Sequence, residues 1–78
     1  LSPKDAEIRS NLGFLYLSHQ RLTEAEEQLQ KALELKPTFA PAQFNMGMLR
    51  KAQGRGQESQ RHLETAARLD PRFAKGLE

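Results

Sequence analysis

Residues 6–39 read AEIRSNLGFLYLSHQRLTEAEEQLQKALELKPTF, and residues 40–73 read APAQFNMGMLRKAQGRGQESQRHLETAARLDPRF. Laid over each other without a gap, the two stretches agree at Ala6, Asn11, Gly13, Leu15, Arg21, Glu24, Leu29, Ala32, Leu35, Pro37 and Phe39, 11 of 34 positions. Average residue usage predicts about two agreements by chance. Leu12 and Phe14 add conservative matches to Met46 and Met48. The interval extends outward: Pro3, Pro37 and Pro71 are 34 apart, as are Leu1, Leu35 and Leu69, and Ala6, Ala40 and Ala74. A fixed period of this length marks a supersecondary unit that buries its apolar face on a neighbouring copy.

Each unit predicts two helices. Ile8, Leu12, Leu15 and Tyr16 recur at i, i+4, i+7 and i+8 and form one apolar stripe. Asp5 is the expected N-cap, after Pro3. Gln20-Arg21-Leu22 is a short connection, and Thr23 with Glu26 spells a capping box for the next helix. That helix buries Ala25, Leu29, Ala32 and Leu33. Pro37 stops it, because proline donates no backbone hydrogen bond and restricts the residue before it. In the second unit Thr38 is the expected cap of a helix carrying Ala42, Met46 and Leu49, with Pro41 harmless in its first turn. Gly54-Arg55-Gly56 breaks the chain. A helix with Leu63, Ala66 and Leu69 comes next and ends at Pro71, and Phe73, Ala74 and Leu77 open a fifth.

Gly13 and Gly47 stand mid-helix, where glycine costs about 1 kcal/mol against alanine. Their recurrence 34 residues apart points to packing: with Ala25, Ala32 and Ala66 they let paired helices approach closely. The expected architecture is all-α, an α-solenoid of antiparallel helix pairs in one helical-repeat domain over 1–78. Repeat one is 6–39, repeat two is 40–73, and 74–78 starts a further helix. With Leu1-Ser2-Pro3 reading as the tail of a preceding unit, the chain reads as a window on a longer array.

Composition excludes several function classes. The 78 residues contain no cysteine, hence no disulfide framework and no thiolate metal site. The longest apolar stretch, Phe14-Leu15-Tyr16-Leu17, falls far short of the roughly 18 residues of a membrane helix, and no secretory signal opens the chain. Net charge is +2, with the basic excess in the second half at Arg50, Lys51, Arg55, Arg61, Arg68, Arg72 and Lys75. That pattern fits a solvated helical surface better than a nucleic-acid footprint. His19 and His62 are the only histidines, and no metalloprotease, nucleophile-elbow or P-loop motif occurs. Both read as surface residues. Glu24, Glu26 and Glu27 open a helix, where carboxylates favour the dipole. No enzyme, metal or cofactor is expected.

The pattern resembles the tetratricopeptide repeat family, whose period is 34. Leu12-Gly13-x-x-Tyr16, Ala25, Leu29, Ala32 and Pro37 carry the resemblance in unit one, and Met46-Gly47, Leu63, Ala66 and Pro71 in unit two. Unit two departs where Arg50 replaces the aromatic, Ser59 the small alanine and Gly56 the large loop residue. Arg9 and Gln43 stand where the family has tryptophan.

The resemblance implies a protein–protein interaction scaffold whose first helices line a concave groove. Phe14 and Leu17 lie roughly 140–200° from Leu12 around the helix, joined by Glu7 and Ser10, and Phe44 and Met48 lie opposite Met46 beside Lys51. With the common family asparagines Asn11 and Asn45, these residues form the expected groove for a peptide or helix of a partner protein. Its floor is Phe14, Leu17, Phe44 and Met48. The family's clamp for terminal carboxylates fits poorly: Asn45 and Lys75 match, but Ser10 and Phe14 stand where lysine and asparagine are wanted. Two rival readings are a homodimer joined through 73–78 or the groove face, and an RNA-reading helical repeat. The apolar groove positions argue against RNA.

Overall fold

The structure, a computed structural model, describes residues 3–77, with side chains over 4–74; Leu1, Ser2, Glu78 and the side chains of Pro3, Lys75 and Leu77 lie outside the described residues. The chain is all-α. Helices α1 (Pro3–Ser18) and α2 (Leu22–Leu35) form one antiparallel pair, and α3 (Ala40–Ala52) and α4 (Gly56–Leu69) a second. A 3-10 helix, Pro71–Leu77, packs on α4, in place of the α-helical turn expected there. Both α2 and α1 touch α3, so the pairs stack.

Paired stop signals set the length of each helix. Helix α1 ends in a Schellman turn, with Arg21 N–H bonded to Tyr16 O at 2.9 Å and Gln20 N–H to Leu17 O at 3.0 Å. Helix α3 ends the same way, through Arg55 to Arg50 O at 2.8 Å and Gly54 to Lys51 O at 3.0 Å. Such a turn needs one left-handed residue. Gly54 takes it at φ +77° and Gln20, its counterpart 34 residues earlier, at φ +60°. At the other end of each pair, Lys36 and Asp70 swing out to extended backbone (φ −149° and −148°) because a proline comes after each.

Helix starts differ from the sequence expectation. Helix α1 begins at Pro3, ahead of Asp5. Residues Arg21 and Phe39 occupy the N-cap positions of α2 and α3, and neither helix has a side-chain cap hydrogen bond. Thr23 therefore sits inside the first turn, and the capping box with Glu26 does not form. Glu26 is instead engaged by Arg50 and Gln53. Thr38 likewise lies one residue outside the cap. Pro41 falls in the first turn of α3 as expected.

The core is built from the small and leucine positions of the repeat. Ala25, Leu29, Ala32, Ala42, Leu49 and Ala66 are fully buried, with Met46 beside them and Tyr16, Leu17, Leu22 and Leu33 packed around. The glycines are close-approach points. A Cβ on Gly13 would lie 2.6 Å from Leu29 Cγ, and one on Gly47 2.8 Å from Leu63 Cδ2 and 3.2 Å from the Ser59 carbonyl oxygen. Both carbon distances are well inside the roughly 3.5–4.0 Å of a normal carbon contact.

Helix α1 turns a different face inward from the one expected. Ala6, Ser10 and Gly13 are its buried stripe, while Ile8 and Leu15 are 59% and 53% exposed. Counterparts Ala42 and Leu49 in unit two are completely buried, and Leu49 clusters with Ala25 and Leu29 of α2. In α4, Leu69 is 40% exposed rather than buried with Leu63 and Ala66.

Candidate binding face

The first helices of the two units meet through one buried polar contact. Asn45 Nδ2 donates to Ser10 Oγ at 3.1 Å and lies 3.4 Å from Ser10 O, with both residues buried. A buried amide must be satisfied, and this bond satisfies it while fixing the register of α3 on α1. The structure thus places Ser10 and Asn45 beneath the surface, between the helices, rather than on a groove wall.

The other groove positions separate into two groups. Phe44 is half-buried, with its ring 5.0 Å from that of Phe73 and tilted by 33°. Its counterpart in unit one is Ser10, so this position in each first helix receives the next segment of the chain. Leu17 is also half-buried and packs against the core. Glu7, Asn11, Phe14, Met48 and Lys51 are exposed. On α1, Glu7, Asn11 and Phe14 recur at i, i+4 and i+7 and share a face. Phe14 (53% exposed) and Met48 (38%) hold the same repeat position on the two first helices, and both are exposed. Glu7 and Lys51, also exposed, carry a charge of each sign.

A polar cluster ties the units together at the far end of α3. Arg50 Nη1 donates to Glu26 Oε1 at 3.0 Å and to Gln53 Oε1 at 2.9 Å, and Gln53 Nε2 donates to the same Glu26 oxygen at 3.1 Å. Arg50 Nε is buried without a hydrogen bond and lies 3.8 Å from Glu58 Oε1. The Gln53 hydrogen bond, helped by Arg50 and opposed by burial, holds the Glu26 carboxyl below its ordinary pKa. Arg50 thus replaces the repeat's aromatic with an ionic link among α2, α3 and α4.

His62, expected on an exposed face, is half-buried and its Nδ1 lies 2.9 Å from Gln43 Oε1. Burial, reinforced by Arg50 and opposed by Glu58, lowers its pKa. His19 is exposed and bonds the Leu15 carbonyl oxygen. Among the described residues no group of three metal-ligating side chains gathers, and no helix is long and apolar enough to cross a membrane.

Stacked antiparallel helix pairs that repeat in sequence, with small residues at every crossing, define the α-solenoid class of helical-repeat proteins. Within it, residues 6–39 match the family model of the tetratricopeptide repeat, which supports a tetratricopeptide repeat there, and residues 40–73 keep the same period. The family serves generally as a non-enzymatic scaffold for protein–protein interaction. No curated protein and no solved structure matches the chain.

Periodicity within α1 marks Ile8 and Leu15 as parts of one apolar stripe but does not show that they face outward. Their counterparts in unit two, Ala42 and Leu49, are buried.

Proposed function

We propose that this chain is a protein-binding module, with no catalytic role, that receives a peptide or helix of a partner across α1 and α3. The two repeats act as one binding unit, 6–39 with 40–73. The observation that carries this reading is the exposure of Phe14 and Met48 at the same repeat position of the two first helices, with Glu7, Asn11 and Lys51 exposed as well. A surface already ordered by helix stacking loses little conformational entropy on binding, which favours recognition of a flexible segment. Methionine suits it, being adaptable to differently shaped apolar anchors. Phe44 contributes by holding Phe73 and shaping the end of the face, while Ser10 and Asn45 set the spacing of α1 and α3.

Selection of a displayed random peptide library against the chain tests this. Selected peptides should share spaced apolar anchors. Phe14→Ala and Met48→Ala should each weaken them about tenfold or more with melting temperature nearly unchanged. Phe44→Ala should instead lower the melting temperature, through loss of the Phe73 contact. Selection of no peptide above background, or of peptides indifferent to both exposed substitutions, overturns the reading.

A further inference from the structure

A polar contact recurs at the same repeat position in each helix pair, but its chemistry differs between the units. In unit one Arg9 Nη1 donates to Gln28 Oε1 at 2.9 Å and joins α1 to α2. The residues 34 further on are Gln43 and His62, and they join α3 to α4, with His62 Nδ1 2.9 Å from Gln43 Oε1. A guanidinium and an amide keep their protonation throughout the physiological range, and an imidazole does not. Of these two contacts only the one in unit two titrates.

The surroundings fix which nitrogen takes up the proton. The Gln43 carbonyl oxygen only accepts, so Nδ1 is the donor, and the amide is held in that sense by Nε2, which donates to Pro37 O at 3.4 Å. Acid therefore protonates Nε2, which has no hydrogen-bond partner among the described residues. His62 is half-buried and adjoins Leu63, at a crossing so close that a Cβ on Gly47 would lie 2.8 Å from Leu63 Cδ2. Two charged groups act on the ring: Arg50 of α3 disfavours a second cation, and Glu58, one turn earlier on α4, favours it. Glu58 is already paired with Arg55 at 2.9 Å. Burial first, then Arg50, holds the His62 pKa below the ordinary histidine value. A site that favours the neutral ring in this way gives up stability as pH falls through the histidine range.

We propose that His62 is an acid sensor built into unit two: proton uptake at Nε2 puts a charge without an acceptor at the α3–α4 contact and opens that pair, while the α1–α2 pair, joined by Arg9 and Gln28, stays closed. Where the binding reading above is the basis, acid loosens Phe44 and Met48 on α3 and releases the partner.

Amide hydrogen exchange of the full 78-residue chain tests the opening, read by mass spectrometry at about pH 7.5 and about pH 5.5 and corrected for the intrinsic rate at each. Protection across 40–69 should fall several-fold on acidification while protection across 6–35 holds. His62→Gln, which gives unit two the residue that unit one has at this position, should abolish the difference and so separates His62 from His19 and the carboxylates. Circular dichroism at the higher pH verifies that the variant is folded. Nitrogen-15 spectra of the parent's imidazoles need no variant and should show the neutral His62 ring protonated at Nδ1. Equal loss in both units, a loss that persists in folded His62→Gln, or a neutral ring protonated at Nε2 overturns the proposal. The exchange measurement uses no ligand, so failure of the binding reading leaves it standing.

Discussion

Gly13→Ala adds a single methyl group at the crossing of α1 and α2, and its sign discriminates sharply between two accounts of that glycine. If Gly13 were merely tolerated, alanine would stabilise the helix by about 1 kcal/mol. In the structure the new carbon meets Leu29 Cγ at 2.6 Å and Cδ2 at 2.7 Å, with the Ala25 carbonyl oxygen at 3.4 Å. Leu29 is fully buried and has no solvent to swing into, so the helices must part by something near an ångström. Overpacking of this kind costs about 1–3 kcal/mol. Set against the propensity gain, the expected net loss is about 1 kcal/mol, or roughly 4–8 °C in melting temperature for a domain of this size. Gly56→Ala is the control. Nothing lies within 4 Å of a Cβ there and its φ is not positive, so the same substitution should stabilise by about 0.4–1 kcal/mol. Urea titrations followed by far-ultraviolet circular dichroism read both. The double variant Gly13→Ala/Leu29→Ala sharpens the test. Leu29→Ala alone should cost about 2–5 kcal/mol, and adding Gly13→Ala should cost nothing more, because the clashing atoms are gone. A stabilised Gly13→Ala, or simple additivity in the double variant, would refute the close-approach argument.

Gln20→Gly should stabilise the chain by about 0.5–1 kcal/mol, since positive φ costs a non-glycine residue about 1–2 kcal/mol and glycine's looser unfolded state offsets part of the gain; a urea midpoint at or below that of the parent would contradict it. The pH dependence of unfolding provides a separate check. His62 has a lowered folded pKa, so its neutral form stabilises the fold above the ordinary histidine pKa, and that contribution fades as pH falls from about 7 through the folded value. His62→Gln should flatten the stability profile in that window while leaving the further decline at acid pH, where Glu26 is protonated and releases Arg50 and Gln53.

The helix pairs, their crossings and their ends at Pro37 and Pro71 are legible in the sequence because each rests on residues recurring at a fixed interval: leucine and alanine at the contacts, glycine at close approach, proline at the stop. Helix starts are less legible. A threonine followed by glutamate at i+3 satisfies the capping pattern locally, but the Schellman turn ahead of α2 places the cap one position before Leu22, and Glu26 finds a stronger partner in Arg50. The candidate face is half legible. Angular position separates Phe14 from Leu12 around the helix, yet periodicity within one helix cannot tell a side turned to solvent from one turned to the next unit. Ser10, Asn45 and Phe44 sit at such boundaries. Ile8 and Leu15 show the converse, apolar residues whose burial depends on an element outside their own pair. Arg50 reads in the sequence as a lost aromatic, since only the fold brings Glu26 within reach of it.

The contact between Ser10 and Asn45 makes the two units unequal as neighbours. Ser10 is small and polar and accepts an asparagine from the following unit; Phe44, at the same position, packs against the ring of Phe73 at the end of its own unit. Asparagine itself is common to both units, as Asn11 and Asn45. If the order of the units were permuted, Asn11 would be pressed against the Phe44 ring with no oxygen to receive its amide, an uncompensated burial of about 1–3 kcal/mol. The order of the two units is thus chemically addressed: this joint admits the successor it was cut for, and the two units cannot be exchanged like identical bricks.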